Sequence, residues 1–299
     1  MNIQHILVAI AAVLLGASPS MAASDHADVT KPVTQFFAKR SGLSLRAIVY
    51  RPEGWKPRQT RPAVVIFHGL GWTSGMPEWS ESTAKHYASQ GLVAVAAQYR
   101  VANDKVTPLD SMADARDAIR WVRLNAAALG IDPSRIAAHG FSSGAHLALT
   151  AATAEEKASV TSSPNALILF SPPVDVEKNK KLQAMLGTKA TTASISPISS
   201  VRKGLPPTAI MQGDVDTVTP HANAKAFCDK MVAAGNRCEL NTYMYAGHLF
   251  TPKGTPDAVK PQPNPKIEAA AQAKADEFLA SLGYIDKPLV RGEGLARAK

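Results

Sequence analysis

The chain has 299 residues, of which 45% are hydrophobic and 19% are charged, so it can bury a sizeable core and is not expected to be disordered. The formal net charge is +9, but lysines and arginines are scattered, with no long basic run interleaved with aromatic residues. This pattern argues against a nucleic-acid-binding protein and favours a basic secreted protein.

The N-terminus has the pattern of an export signal. An apolar run from Ile6 to Ala17 has the length of a signal-peptide core and is too short to span a bilayer. Small residues at Ser20 and Ala22 precede a predicted cleavage site after Ala22. The sequence therefore predicts a signal peptide over residues 1–22 and a periplasmic or secreted mature protein without a membrane anchor.

Short β-rich runs alternate with longer helical patterns along the rest of the chain. Most of the predicted strands are continuous apolar runs, as expected of strands that are covered on both faces. In chain order, the predicted elements are strands Leu43–Tyr50 and Ala63–Phe67, helix Trp79–Gln90, strand Leu92–Ala97, helix Asp110–Leu129, strand Arg135–Gly140, helix Ser143–Ala154, strands Ala166–Phe170 and Thr208–Gln212, helix His221–Ala234, strand Arg237–Tyr243 and helix Lys266–Leu282. This alternation predicts an α/β fold with a mainly parallel, doubly wound sheet and helices on both faces.

The sequence shows no internal repeat and no change of composition that would mark a second domain. We therefore predict one domain over residues 30–284, followed by a mobile C-terminal tail over residues 285–299. The stretch from Glu177 to Lys203 has weak periodicity, which is consistent with a minimal cap or a plain excursion of the chain.

Only two cysteines are present, Cys228 and Cys238. In an exported protein, the simplest interpretation is one disulfide bond, with two free thiols as the alternative. Two cysteines without nearby histidines cannot complete a tetrahedral metal site, and nothing else in the sequence indicates a cofactor. We therefore expect neither a metal nor an organic cofactor.

Ser142 lies in a Gly-x-Ser-x-Gly pattern, which chance alone can supply. Its context is more specific, because a predicted strand ends at Gly140 and a predicted helix begins at Ser143. A sharp strand-to-helix turn exposes the serine hydroxyl, and the start of the helix directs N–H groups towards developing negative charge. The pattern therefore predicts that Ser142 is a nucleophile, the alternative being a serine in a glycine-rich turn.

A serine nucleophile needs a base that is held by a third group, and in this context the acid and then the histidine follow the serine along the chain. Asp214 and Asp216 both follow a predicted strand, and we favour Asp216, with Asp214 shaping the turn. His248 follows the next predicted strand and is the expected general base. His221 is the weaker alternative, because it begins a helix.

The oxyanion of the reaction needs N–H donors. The residue after the nucleophile, Ser143, is expected to supply one of them. The loop after the strand Ala63–Phe67 is expected to supply the other, from Leu70 as first choice and Gly71 as second.

Several of these segments together resemble a known group of enzymes. They are His68–Trp72, Gln98–Arg100, Gly130–Ile136, Gly140–Gly144, Gly213–Asp216 and Gly247–His248. Their order over residues 40–284 resembles the α/β-hydrolase superfamily, in the branch of bacterial carboxylesterases and xylan or feruloyl esterases that is related to dienelactone-hydrolase-like and prolyl-oligopeptidase-like enzymes. Leu70 departs from the His-Gly-Gly-Gly of lipase-like relatives and is expected to crowd the acyl side of the pocket.

The resemblance implies a serine carboxylesterase that forms an acyl-enzyme on short-chain or carbohydrate-linked esters. Its expected partner is a small or polysaccharide-linked ester, with no nucleic acid or membrane. Trp72, Phe141 and Phe250 are the expected pocket residues, and a place in the core is the alternative for Trp72 and Phe250. Three alternative functions stay open, namely a peptidase or amidase, a lid-bearing lipase, and a binding protein that retains the fold without turnover.

Overall fold

The computed structural model describes residues 31–40, 42–155, 158–257 and 261–286. The predicted signal peptide and residues 287–299 of the predicted tail lie outside these ranges. None of the helices in the described part of the chain combines the length and the apolar character that crossing a bilayer requires.

An eight-stranded sheet forms the centre of the described chain. Its strands are β1 (Val33–Arg40), β2 (Leu43–Tyr50), β3 (Arg61–Phe67), β4 (Val93–Ala97), β5 (Ile131–Phe141), β6 (Ala166–Phe170), β7 (Thr208–Gly213) and β8 (Cys238–Tyr243). The spatial order is β1-β2-β4-β3-β5-β6-β7-β8. The pairs from β4 to β8 are parallel, whereas β2 is antiparallel to both β1 and β4. The predicted mainly parallel α/β sheet is confirmed.

Helices cover both faces of this sheet. They are α1 (Glu81–Ser89), α2 (Pro108–Leu124), α3 (Ala126–Leu129), α4 (Ser143–Thr153), α5 (Lys180–Leu186), α6 (His221–Ala233) and α7 (Pro265–Ser281). Between residues 177 and 203, the chain adds only α5 and two short 3₁₀ turns, so the cap is minimal.

The core has two layers because successive strand residues point to opposite faces of the sheet. In β3, Val65 and Phe67 pack with α2, α4 and α6, whereas Val64 and Ile66 pack with α1 and α7. Ile285 is also buried, in the layer of α1 and α7. The predicted tail boundary is therefore wrong by at least this one residue, since its apolar side chain packs into the core.

A disulfide joins Cys228 in α6 to Cys238 at the start of β8, with 5.4 Å between the two Cα atoms. The predicted disulfide is therefore present in the structure, rather than two free thiols. It connects a helix and an edge strand that enclose one end of the sheet.

Candidate active site

Ser142 lies at the carboxyl end of β5, where the chain turns sharply into α4. Its φ of 49° and ψ of −118° form a strained conformation for a residue other than glycine. Its N–H donates to the carbonyl of Phe170, 2.9 Å away, which fixes the turn against β6. The turn therefore has the geometry that the sequence context predicts.

The two glycines of the motif are required by close approaches of the backbone. A Cβ placed on Gly140 would lie 2.4 Å from the nitrogen of Ala145, inside the following helix. One placed on Gly144 would lie 2.2 Å from the carbonyl oxygen of Phe67, at the end of β3. Both distances are far shorter than any real carbon contact, so only glycine lets the helix start pass this close to the neighbouring chain.

The structure brings together the three side chains that the sequence predicts as the catalytic set. The Nε2 atom of His248 lies 2.9 Å from the Oγ atom of Ser142. The Nδ1 atom of the same ring lies 3.0 Å from Oδ2 of Asp216 and 3.2 Å from Oδ1. With the proton on Nδ1, the ring donates to the carboxylate and accepts from the serine hydroxyl, which is the arrangement that general-base catalysis requires.

Asp216 is held as a carboxylate by several donors. Burial raises the pKa of Asp216, but the hydrogen bond and charge of His248 and the donors of Thr219 outweigh it, and the net pKa lies below its usual value. The side chain also accepts from the backbone N–H of Val218 and from the amide of Gln212, each at 2.9 Å. The group therefore stays ionised at neutral pH, as stabilising an imidazolium requires.

Gln212 is a site residue that the sequence analysis missed. Its amide nitrogen donates to Asp216 and, at 2.8 Å, to the carbonyl of Thr219, so it fixes the loop that carries the acid. It ends the apolar run of β7, and a lone glutamine in that position has no pattern by which the sequence could have identified it. The only available signal was its position four residues before Asp216.

The weaker candidates lie elsewhere. The N–H of Asp214 donates to the carbonyl of Tyr243 in the turn after β7, and its buried Oδ1 atom has no hydrogen-bond partner among the described residues. His221 begins α6, where its Nε2 atom lies 2.9 Å from the hydroxyl of Thr242. The geometry therefore favours the pair Asp216 and His248 over these alternatives.

The loop after β3 lies beside the nucleophile. A Cβ on Gly69 would lie 3.4 Å from the Cβ of Ser142. Leu70, Gly71 and Trp72 all have positive φ, at 94°, 64° and 63°. Leu70, the residue that departs from the lipase-like motif, is 43% exposed. The oxyanion roles of Leu70 and Gly71 stay predictions, as does that of Ser143, whose N–H lies at the start of α4.

The predicted pocket residues have mainly core positions. Phe250 is 2% exposed and packs edge-on against Phe170 and Tyr243, so its predicted place in the pocket is wrong and the core alternative holds. Trp72 is 5% exposed, and its ring packs edge-on against the buried ring of His146, so Trp72 also belongs to the core. Phe141 is half-buried, and its ring packs on the rings of His139 and Phe170, so its place in the pocket stays a prediction.

An open cavity of about 360 Å³ adjoins His248, and its lining residues all come from the segments 215–218 and 247–261. Apolar walls come from Val215 and Val218, from Pro252 and from two further prolines. Polar groups come from the hydroxyls of Thr217 and Thr255 and from the carboxylate of Asp257. Thr217 donates to Asp257 at 2.5 Å, which ties the two walls together.

The described residues contain no group of three or more His, Cys, Asp or Glu side chains that could hold a metal ion.

Solved structures that are similar to this chain include those of an esterase. The structure of Thermogutta terrifontis esterase 2 phosphoramylated by tabun is 35% identical, covers 87% of this chain and 98% of that chain, and superposes with a TM-score of 0.76. The same esterase with propionate bound is 34% identical, with a TM-score of 0.76 and the same coverage of both chains. These values show a shared α/β-hydrolase fold over nearly the whole of that enzyme.

Curated relatives match shorter segments. Carboxylesterase NlhH of Mycobacterium tuberculosis is 38% identical over 96 residues, which are 31% of this chain and 30% of that protein. The non-reducing polyketide synthase mapC of Penicillium brevicompactum is 31% identical over 167 residues, or 53% of this chain, and the match spans only 7% of the synthase. A family model named BD-FAE matches residues 49–231, which include β3, the Ser142 turn and the Asp216 loop. The chain therefore belongs to the BD-FAE family and has the α/β-hydrolase fold.

Proposed function

We propose that this protein is an exported serine carboxylesterase that hydrolyses short-chain or carbohydrate-linked esters through Ser142, His248 and Asp216. The observation that carries the proposal is the His248 ring, which lies 2.9 Å from the Ser142 hydroxyl and 3.0 Å from the Asp216 carboxylate. The serine also occupies a strained turn at the start of a helix, as a nucleophile of this class requires.

The proposed reaction has two halves. In the first, Nε2 of His248 takes the hydroxyl proton as Ser142 Oγ attacks the ester carbonyl. The resulting oxyanion is held by N–H groups of Ser143 and of the loop at Leu70, and Asp216 stabilises the imidazolium. When the tetrahedral intermediate collapses, the imidazolium gives its proton to the departing alcohol. In the second half, His248 deprotonates a water molecule, which attacks the acyl-enzyme. Collapse of this second tetrahedral intermediate breaks the bond between the acyl carbon and Ser142 Oγ, the His248 imidazolium returns its proton to Oγ, and the carboxylic acid is released.

The relatives support this reaction class. The similar enzyme from Thermogutta terrifontis is an esterase with structures phosphoramylated by tabun and phosphonylated by sarin, as well as with propionate bound. Organophosphorus agents of this kind react with activated serine nucleophiles. By analogy, we assign Ser142 as the reactive serine and short acyl chains as the first substrates to test.

The cavity beside His248 favours esters whose alcohol part carries further hydroxyl groups. It contacts the ring that protonates the leaving group and has no lining residue from the oxyanion loop. Asp257 and Thr217 offer an acceptor and a hydroxyl there, while the valines and prolines provide an apolar wall. This combination suits a polyol or sugar, whose faces are apolar and whose edges carry hydroxyls.

Export is supported by the signal-like N-terminus and by the Cys228–Cys238 disulfide, because disulfides persist in oxidising compartments. N-terminal sequencing of protein recovered from the periplasm or medium tests this part. The expected mature N-terminus is Ala23. An uncut protein that stays in the cytosol would contradict it.

The reaction is tested by hydrolysis of p-nitrophenyl acetate, butyrate and octanoate by the mature protein and by Ser142→Ala. We expect kcat to fall by about 10⁶-fold in the variant. Ser89→Ala, on the outer helix α1, is the matched control and should retain activity. Equal rates for Ser142→Ala and the wild type would refute the mechanism, and turnover of matched amides in preference to esters would indicate a peptidase or amidase.

The alcohol preference is tested with esters that share one acyl group. We expect Asp257→Ala to reduce kcat/KM for glycerol monobutyrate by about tenfold, as expected for a lost hydrogen bond to a charged group. The rate on propyl butyrate, which lacks the hydroxyls, should stay unchanged. Equal losses on both esters would contradict the alcohol site and leave the esterase assignment intact.

A further inference from the structure

We infer that Tyr99 is a positioning residue for the oxyanion site, because its hydroxyl fixes the start of the loop that presents the N–H groups of Leu70 and Gly71. The inference rests on the proposed function. It adds a residue that touches neither the substrate nor the nucleophile in the proposed mechanism.

Tyr99 follows β4 and is 2% exposed. Its hydroxyl oxygen lies 2.8 Å from the carbonyl oxygen of His68 and 3.0 Å from the Nδ1 atom of the same residue. The two rings stack, with centroids 4.3 Å apart and planes 20° from parallel. Tyr99 therefore contacts both the backbone and the side chain of the residue that begins the loop.

One set of proton positions satisfies these contacts together. The single hydroxyl proton of Tyr99 is donated to the His68 carbonyl, so Nδ1 of His68 must carry a proton. That N–H then points towards the Tyr99 oxygen and towards the carbonyl of Gly69, 2.9 Å away. Burial lowers the pKa of His68, so the ring is neutral at neutral pH and the Nδ1–H tautomer is the one that fits.

A second contact holds the other end of the strained stretch. The N–H of Ala102 donates to the carbonyl of Trp72 at 2.7 Å. Tyr99 and Ala102 belong to the same segment after β4, so this segment holds the loop both before and after Leu70 and Gly71. Backbone strain of this kind persists only where the surroundings fix it. Without the first contact, the stretch could relax.

The loop also folds back over the His68 ring. A Cβ on Gly75 would lie 2.2 Å from two atoms of the imidazole. Trp79, further along the loop, packs edge-on to the same ring with centroids 5.9 Å apart. A shift of His68 would therefore displace the loop that packs on its ring. The hydroxyl of Tyr99, which follows the central strand β4, holds His68 in place.

The test is Tyr99→Phe, which keeps the stacked ring and removes the hydroxyl. Active sites are counted by titration with paraoxon, so that kcat refers only to folded, reactive enzyme. We expect kcat per site to fall by about 10- to 100-fold, less than the loss of a direct oxyanion donor, with KM within about twofold. The Ki of a trifluoromethyl ketone, whose adduct carries an oxyanion, should rise by the same factor as kcat falls.

Two controls separate positioning from general stability. Tyr87→Phe removes another buried hydroxyl, which accepts from Gln272 on the opposite face of the sheet, and should leave kcat per site unchanged. Replacing Tyr99 with para-aminophenylalanine restores a donor at the same place and should recover most of kcat, even if Tyr99→Phe folds poorly.

A normal kcat per site and a normal Ki in Tyr99→Phe, with only the melting temperature lowered, would overturn the inference. So would a para-aminophenylalanine variant whose kcat is as low as that of Tyr99→Phe. Failure of the proposed function gives a different result, because Ser142→Ala would then retain the activity of the wild type.

Discussion

The described residues include two histidine–carboxylate pairs with similar geometry in different parts of the fold. In the candidate site, at the carboxyl ends of the strands, His248 lies 3.0 Å from Asp216. Between two helices on one face of the sheet, His86 of α1 lies 2.9 Å from Asp276 of α7. Both carboxylates are buried, and each receives a further donor from a glutamine, Gln212 in the first pair and Gln272 in the second.

The pairs differ in what the second ring nitrogen faces. His248 binds its carboxylate through Nδ1 and directs Nε2 at the hydroxyl of Ser142. His86 uses Nε2 for its carboxylate, and the pair joins α1 to α7 with no serine hydroxyl on the ring. A His–Asp pair alone therefore does not identify a catalytic site, and the proposed catalysis depends on the strained serine and the oxyanion loop beside one of the two pairs.

The largest expected difference is between the two histidines. We expect His248→Ala to lower kcat by about 10⁶-fold, because the base for the serine is lost. His86→Ala removes the matched ring of the pair between α1 and α7 and should change kcat by less than about twofold. Steady-state kinetics on p-nitrophenyl butyrate measures both. Similar losses in the two variants would show that the ring acts through stability rather than through proton transfer.

Substitutions of the two aspartates should also differ in their effect on kcat, by a smaller factor than those of the two histidines. Asp216→Asn keeps the size of the side chain but favours the wrong tautomer of His248, so we expect kcat to fall by about 10⁴-fold. Asp276→Asn is the matched control, with kcat expected to stay within about twofold of the wild type. A kcat for Asp216→Asn close to that of the wild type would mean that the carboxylate is not the orienting group.

The pair of His86 and Asp276 is expected to contribute to the free energy of unfolding rather than to kcat. We expect Asp276→Ala to lower the free energy of unfolding by about 1–3 kcal/mol, because His86 and Gln272 lose a buried acceptor between two helices. Urea unfolding followed by circular dichroism measures this loss, with activity at low urea as the control. An unchanged free energy of unfolding would remove the structural role given to the second pair.

A pH dependence of stability is also expected, in the layer of α1 and α7. His139 is buried against Phe141 and Phe170, and burial lowers its pKa to about 3. In the unfolded chain its pKa is about 6.5, so between these values only the unfolded state takes up the proton. Stability is thus full above about pH 6.5 and falls by up to about 1.4 kcal/mol per pH unit as the pH drops below it.

His139→Phe should reduce this slope, and its free energy of unfolding at pH 7 should change little, because neither ring nitrogen has a hydrogen-bond partner among the described residues. Urea unfolding of both proteins between about pH 4.5 and about pH 7 measures the difference. Parallel curves for the variant and the wild type would contradict the buried neutral state.

The sequence predicted the parts of this molecule that repeat a local pattern. Continuous apolar runs identified the inner strands, and the residues just past β5, β7 and β8 included Ser142, Asp216 and His248. Parallel strands place their carboxyl ends at one edge, so the three side chains could be predicted to meet without knowledge of the distances.

Other parts depend on contacts that no local pattern reveals. The edge strand β1 was missed because its residues alternate in exposure and form no apolar run. Phe250 was wrongly placed in the pocket because Leu249 and Phe250 have positive φ, and this turn directs the ring into the core. Tyr99 lies in the Gln98–Arg100 segment of the family resemblance, but its role depends on a contact with His68, 31 residues away.

The central claim is that Ser142 is the activated nucleophile, and covalent labelling tests it most directly. The mature protein, His248→Ala and His86→Ala are treated with paraoxon, and the modified peptide is identified by mass spectrometry. We predict a single phosphorylated residue, Ser142, formed at similar rates in the wild type and His86→Ala and far more slowly in His248→Ala. Labelling of a different residue, or full esterase activity after stoichiometric labelling of Ser142, would contradict the account.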